Sequence, residues 1–285
     1  MTTSREAVTR FDHITIAAHA IETATADYAA LLGLGPAWCG DHPDLGTESA
    51  LFGLDNALIE LTAPRAGAEE SEGLRSWLDA TNGGLQSLAF GTEDALAASA
   101  TLRERGTRST PPQVGVAHAS NGTTRSYQTV ELSPRATRGI PLLIVERTDF
   151  GTLTSTQPIP ASSVHALDHV VLRTSNIDAA KQLYATALGI RLALEREING
   201  TRMLFFRVGG VTLEIVEDKS QVDVDVFYGA AYRVRDVPAA HQRIAQNGFD
   251  VSPIRTGHKH GTHVFSVRSR THNVATLILH DPTRS

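Results

Sequence analysis

The sequence has a single cysteine, Cys39, among 285 residues, which excludes an intramolecular disulfide and fits a reducing compartment. It has no apolar run near the roughly 20 residues that a membrane helix requires, so no membrane partner is expected. It has no excess of positive charge. The 26 Lys and Arg against 31 Asp and Glu leave a net charge of −5, and nucleic acid, which needs a basic face, is not an expected partner. The opening stretch, residues 1–10, lacks an apolar segment after its charges, so no secretory signal is expected and the protein reads as cytoplasmic. Several chemical signatures are missing too. There is no Gly-rich phosphate loop, no GxSxG elbow and no paired CxxC. Cys39 follows Trp38 without an evident partner base, which argues against a thiol nucleophile.

What is present is an ordinary globular composition, 41% hydrophobic and 20% charged, in a chain long enough for about two domains. Within it one pattern recurs. FDHITIAAHAIETATADYAALLGLGPAW (11–38) and LDHVVLRTSNIDAAKQLYATALGIRLAL (167–194) both begin with an apolar residue, then Asp-His, then an apolar, β-branched run with strand character. Both pass into a helical stretch. In the second, Ile177, Ala180, Leu183, Tyr184 and Leu188 keep amphipathic spacing, Asn176 is the expected N-cap, and Gly189 closes the helix as Gly33 does in the first. Short strands follow, ending in NALIELTAP (56–64) and GVTLEIVED (210–218). Weaker copies start at residues 85–106 and 227–248, with later strands at 124–132, 140–147, 262–269 and 274–281.

The predicted fold is therefore α+β: four βαβββ modules in two pairs, each pair forming a curved mixed-sheet cup. The expected boundaries are an N-terminal pair at 1–149, a Gly-, Pro-, Ser- and Thr-rich linker at 150–163, and a C-terminal pair at 164–285.

Two acid–imidazole pairs stand out. His13 and Glu60 are 47 positions apart and His169 and Glu214 are 45 apart, each His near the start of an apolar strand and each Glu inside one. A carboxylate in a strand such as VTLEIVE is costly to bury unless paired or bound to a cation. Imidazole with carboxylate suits Fe, Mn, Zn or Ni, so one divalent metal is the expected cofactor. Taken singly, a strand-start His is more often a structural hydrogen-bonding group, and a strand Glu more often faces water.

These residues resemble the vicinal oxygen chelate superfamily, which includes glyoxalase I, extradiol ring-cleaving dioxygenases and bleomycin-resistance proteins. The resemblance rests on FDHITIAA with ALIEL, on LDHVVLRT with VTLEIVE, and on GDHPDLGTESALFGL (40–54), and it runs from about Arg10 to Pro282. It implies ligands on the first and last strands of each module, pointing into a cup. The partner modules depart from that pattern. Aligned helix starts put Ser87 and Gly229 where a first-strand His would stand, and Ile144 and Ile278 at the last-strand positions.

Two residues further along lie Glu146 and His280, which suggests His169, Glu214 and His280 as a two-His, one-carboxylate triad. The second candidate set is His13, Glu60 and Glu146. His263 is a rival third ligand, and water with substrate is the alternative completion. Tyr228, Tyr232 and His263 are the candidate acid–base groups near the second cup, with Arg207 on a neighbouring strand. GHKHGTH (257–263) reads as a loop over its mouth.

The resemblance implies an enzyme that chelates neighbouring oxygens of a small, apolar or aromatic substrate, of ring-cleaving dioxygenase or lyase/isomerase type. The alternative is a metal-free, drug-sequestering binding protein of the same fold. A homodimer is compatible with either.

Overall fold

The apolar runs that follow each Asp-His become strands, and the stretches with helical spacing become helices. The computed structural model describes residues 6–147, 153, 158–220, 223–257 and 260–283. The first half runs β1 (Arg10–Ala17), α1 (Ile21–Leu32), β2 (Trp38–His42), β3 (Thr47–Gly53), β4 (Leu58–Pro64), α2 (Glu72–Thr81), β5 (Gly84–Thr92), α3 (Ala95–Glu104), β6 (Gln113–Ala119), β7 (Thr124–Glu131) and β8 (Leu142–Glu146). The second runs β9 (Ala166–Thr174), α4 (Ile177–Lys181, prolonged by a π-helical turn over Gln182–Ala187), β10 (Arg191–Ile198), β11 (Thr201–Val208) and β12 (Val211–Glu217). It continues with β13 (Val226–Arg233), α5 (Val237–Gln246), β14 (Arg255–Thr256), β15 (His263–Val267) and β16 (Ala275–His280).

Local signals set the helix ends. Asn176 accepts the Ala179 N–H at 2.9 Å, and Asp94 and Asp236 cap α3 and α5 in the same way. Gly33, at φ 71°, closes α1 in the left-handed conformation that an L side chain resists. Helix α2 lies in a stretch for which no element is expected from the sequence pattern. Of the expected linker, residues 150–152 and 154–157 fall outside the described part, as do His258 and Lys259 of the expected mouth loop.

The strands form two eight-stranded sheets, one in each half, and the two differ. The first closes into a barrel in the order β1-β4-β3-β2-β6-β7-β8-β5. The second stays open, in the order β10-β11-β12-β9-β13-β16-β15-β14. The expected pair of matching cups is thus one barrel and one open sheet. Closure depends on β2 meeting β6, through Gly40 with Ala119 and Asp41 with His118. Their counterparts β10 and β14 are the two free edges, and β14 has two residues only.

Helices cover one face of each sheet, and the helix-side faces merge into one core across both halves, including Phe11, Ile14, Tyr28, Leu172, Tyr184 and Phe265. Burying each such side chain contributes on the order of 1.5–3 kcal/mol, so the halves stabilise one another. Asn56 ties them further, its amide bonding the Leu167 carbonyl at 2.8 Å and the Leu167 N–H at 2.9 Å. Among the described residues no helix is long and apolar enough to cross a membrane.

Candidate active site

Side chains alternate across a strand, so one face of the barrel wall must point inward. His13 and Thr15 of β1, Glu60 and Thr62 of β4, Ser87 of β5, and Leu143 and Val145 of β8 do so, together with Arg147 just beyond β8. They line a cavity of about 540 Å³ that Trp38, His42, Arg125 and Tyr127 also reach. The register of the Asp-His strands is the same in both halves. His13 pairs with Leu58 and His169 with Thr212, which sets Glu60 and Glu214 two residues along their strands.

In the barrel these residues form a connected polar network. His13 Nδ1 lies 2.6 Å from Asp12 Oδ1, and its Nε2 lies 3.1 Å from Glu60 Oε2. Arg147 Nε donates to the same Asp12 oxygen at 3.0 Å. Thr15 donates to Glu60 Oε2 at 3.4 Å. His42 Nε2 stands 3.7 Å from the other Glu60 oxygen, beyond hydrogen-bonding reach, while its Nδ1 lies 2.9 Å from the Tyr127 hydroxyl. The Arg147 guanidinium sits 5.8 Å from the Tyr127 ring centre. That contact brings the two ends of the network together.

The charges follow from these contacts. Burial alone would drive Asp12 and Glu60 towards the neutral acid. For Asp12, Arg147 and the His13 bond outweigh burial and hold the carboxyl below its usual range. For Glu60, the His13 bond and the His13, His42 and Arg147 charges bring it down to about 2. Burial disfavours the charged form of His13, but the Asp12 and Glu60 bonds win and its pKa is raised. His42 goes the other way, because burial outweighs the Glu60 charge and lowers it. Burial pushes the Tyr127 hydroxyl up to about 12, so it stays protonated.

A family model described as a glyoxalase-like domain matches residues 11–164. A second, described as the glyoxalase/bleomycin resistance protein/dioxygenase superfamily, matches 166–276.

The chain belongs to the vicinal oxygen chelate superfamily.

Among its relatives, an ethylmalonyl-CoA/methylmalonyl-CoA epimerase from Cereibacter sphaeroides is 33% identical over 110 residues, which are 37% of this chain and 80% of that protein. A mutant 4-hydroxymandelate synthase from Streptomyces coelicolor has a similar fold, with a TM-score of 0.67 at 13% identity over 96% of this chain and 92% of the other. A Mn(II)-bound glyoxalase from Novosphingobium aromaticivorans gives 0.66 at 14% identity, over 97% and 83%. These three relatives are enzymes, and one of them holds Mn(II).

Neither expected metal triad assembles in this chain. The reason is strand parity. The β5–β8 register pairs Ala89 with Leu143 and Phe90 with Ile144, so Leu143 faces the cavity and Ile144 the core. Glu146, in step with Ile144, therefore leaves the cavity. Its Oε2 accepts the Ala95 N–H at the start of α3, at 2.8 Å, where a carboxylate suits the helix dipole.

The second half repeats the shift. Leu277 and Leu279 share the face of Ala231, which is the register partner of His169, while Ile278 lies in the core. His280 follows Ile278, and its Nδ1 lies 3.2 Å from the Val234 carbonyl. His263 pairs with His280 and is exposed, so the rival ligand is on the wrong face too. Among the described residues no three His, Cys, Asp or Glu side chains come together in a group that could hold a metal ion. The donors present do not make a protein cage for one.

The expected acid–base groups are also placed elsewhere. Tyr232 is fully buried and pairs with Ile278 on the core face. Tyr228 is half exposed under the Arg173 guanidinium, 3.9 Å from its ring centre, beside a smaller cavity of about 290 Å³. His169 lies 2.8 Å from Asp168, which Arg233 approaches at 3.6 Å, a partial copy of the Asp12–His13 contact.

The sequence reading missed His42, Tyr127 and Arg147. His42 stands in the quoted stretch GDHPDLGTESALFGL, and Arg147 directly follows Glu146, one step from the expected ligand.

Proposed function

We propose that the chain is a proton-transferring enzyme of isomerase or lyase type, and that the N-terminal barrel is its working site. The observation that carries this is the opposed behaviour of two imidazoles at one carboxylate. The pKa of His13 is raised and that of His42 is lowered, and both rings face Glu60 inside the cavity. Titratable neighbours pushed apart in this way divide the roles of acid and base.

With its Nδ1–H donated to Tyr127, His42 keeps the Nε2 lone pair towards the cavity. It accepts a proton from a substrate carbon beside a carbonyl as the C–H bond breaks. The electron pair moves into the new C=C bond and on to the carbonyl oxygen, which replaces Glu60 Oε2 as the partner of His13 Nε2 and takes its proton. Reversal returns a proton from His42 Nε2 to the face of the carbon that it left. Asp12 and Glu60 favour the charged form of His13 and orient it, and Arg147 holds Asp12.

The wall also suggests the substrate. An oxygen-bearing end fits beside His13 and His42, and an apolar or planar end fits against Trp38, Leu51 and Leu143. The identity to an epimerase supports carbon-centred proton transfer. Ring cleavage at an open metal site has less support, since the donor sets it needs do not come together. On this proposal the chain is built of four βαβββ modules in two pairs.

The test is solvent exchange. The protein, with and without a chelator, is incubated in D2O with a panel of small 2-oxo acids and 3-oxo esters, and deuterium at the carbon beside the carbonyl is followed by NMR. The proposal expects catalysed wash-in that the chelator does not remove. Turnover that vanishes with the chelator and returns with Mn(II) or Fe(II) would favour the metal-dependent route instead.

A further inference from the structure

Sheet register sorts the charges of the second half by face. Strand β10 reads RLALEREI. Its Arg191 pairs with Arg207, Leu194 with Phe205 and Arg196 with Met203. Phe205 in turn pairs with Glu214 and Arg207 with Thr212, beside His169. These residues share the face turned away from the helices, since Leu204, Phe206, Leu213 and Ile215 fill the core on the other side.

The glutamates of β10 go the opposite way. Glu195 pairs with Leu204 and Glu197 with Arg202. On that helix side the charges are matched: Lys181 reaches Glu195 at 2.5 Å, and Arg202 reaches Glu195 at 3.0 Å and Asp178 at 2.9 Å.

The open face has no such balance. Across β10, β11 and β12 it carries Arg191, Arg196 and Arg207 against one carboxylate, Glu214. Among the described residues none of these three arginines makes an ion pair. Arg191 and Arg207 are moreover directly opposite each other on neighbouring strands, where like charges repel. An oxyanion between them would turn that repulsion into a fork of two guanidinium groups. Next to the fork lie the paired Leu194 and Phe205, with the Arg196 guanidinium 5.2 Å from the Phe205 ring centre. An apolar or planar body has a surface there.

We propose that this face is a second ligand site, separate from the barrel cavity, for a phosphate ester with a planar or apolar body. Arg191 and Arg207 hold the phosphate, and Leu194, Phe205 and Arg196 meet the rest. A phosphate fits better than a carboxylate, because its charge of nearly −2 and three acceptor oxygens can serve both guanidinium groups. The chain's net charge of −5 gives no general attraction for anions, so the pull is local.

The experiment is isothermal titration of the full chain with ADP, at low and at raised salt. Saturable binding is expected, weakening with salt, blocked by pyrophosphate, and lost by at least about tenfold in R191Q/R207Q, or about 1.4 kcal/mol. Adenosine should not bind. Absence of saturable ADP binding, equal affinity in the double variant, or binding of polyglutamate in place of ADP would overturn the proposal. The melting temperature of ligand-free R191Q gives an independent reading. Relief of repulsion leaves it equal to the parent or higher, whereas a fall of several degrees would make Arg191 a structural residue and contradict the site.

Discussion

His13 and His42 address different oxygens of the same carboxylate: Nε2 of His13 lies 3.1 Å from Glu60 Oε2, and Nε2 of His42 lies 3.7 Å from Glu60 Oε1. The first contact is a hydrogen bond and the second is not. With the Asp12 bond at His13 and burial at His42, that difference raises the pKa of one imidazole and lowers that of the other, and the functional reading depends on it.

The pH profile follows. Activity requires His42 neutral and His13 protonated. Since His42 is lowered from 6.5, its protonation sets an acid limb below that value. Since His13 is raised from 6.5, its deprotonation sets a basic limb above it. The expected kcat/KM profile is a bell spanning 6.5, measured as rate against pH with the exchange assay. A rate that only climbs through this range would contradict the assignment.

Tyr127 is a positioning residue. Tyr127→Phe removes the 2.9 Å partner of His42 Nδ1 but keeps the ring beside Arg147. The expected result is a fall in kcat of about tenfold or more with KM little changed, and a displaced acid limb. An unmoved acid limb would reduce Tyr127 to a wall residue.

Asp12→Asn should be costly in two ways. Asp12 is fully buried and holds both Arg147 and His13. Breaking such a buried pair costs about 3–5 kcal/mol, readable as a lower urea midpoint. Loss of the carboxylate also lowers the His13 pKa, so the basic limb should move towards lower pH.

Glu146→Ala separates the expected ligand from the observed cap. The Ala95 N–H loses its acceptor, with an expected loss of about 1 kcal/mol from α3. Activity and metal content should not change. A large drop in turnover at unchanged stability would return Glu146 to the site.

The repeat, the helix caps and the matching His13/Glu60 and His169/Glu214 spacings were legible because each is a local pattern with a local cause. The last-strand positions were not. Counting from an aligned helix start leads to Glu146 and His280, but β-strand faces alternate at every residue. A one-residue error therefore exchanges the cavity-facing Leu143 and Arg147 for the helix-facing Ile144 and Glu146. His42 and Tyr127 were hidden for another reason. They lie on β2 and β7, at the end of one strand and in the middle of another 85 residues away, and meet only because the barrel closes. Closure of the first half and not the second rests on the β2–β6 pairing, a long-range contact that hydrophobic patterning does not encode.

The most direct test compares one histidine from each half. Deuterium wash-in is measured for His42→Ala and His169→Ala beside the parent protein, after equal melting temperatures are confirmed. The barrel account predicts a loss of about 10²-fold or more in His42→Ala and a rate near the parent's in His169→Ala. Loss in His169→Ala with activity kept in His42→Ala would contradict it and move the chemistry to the open sheet.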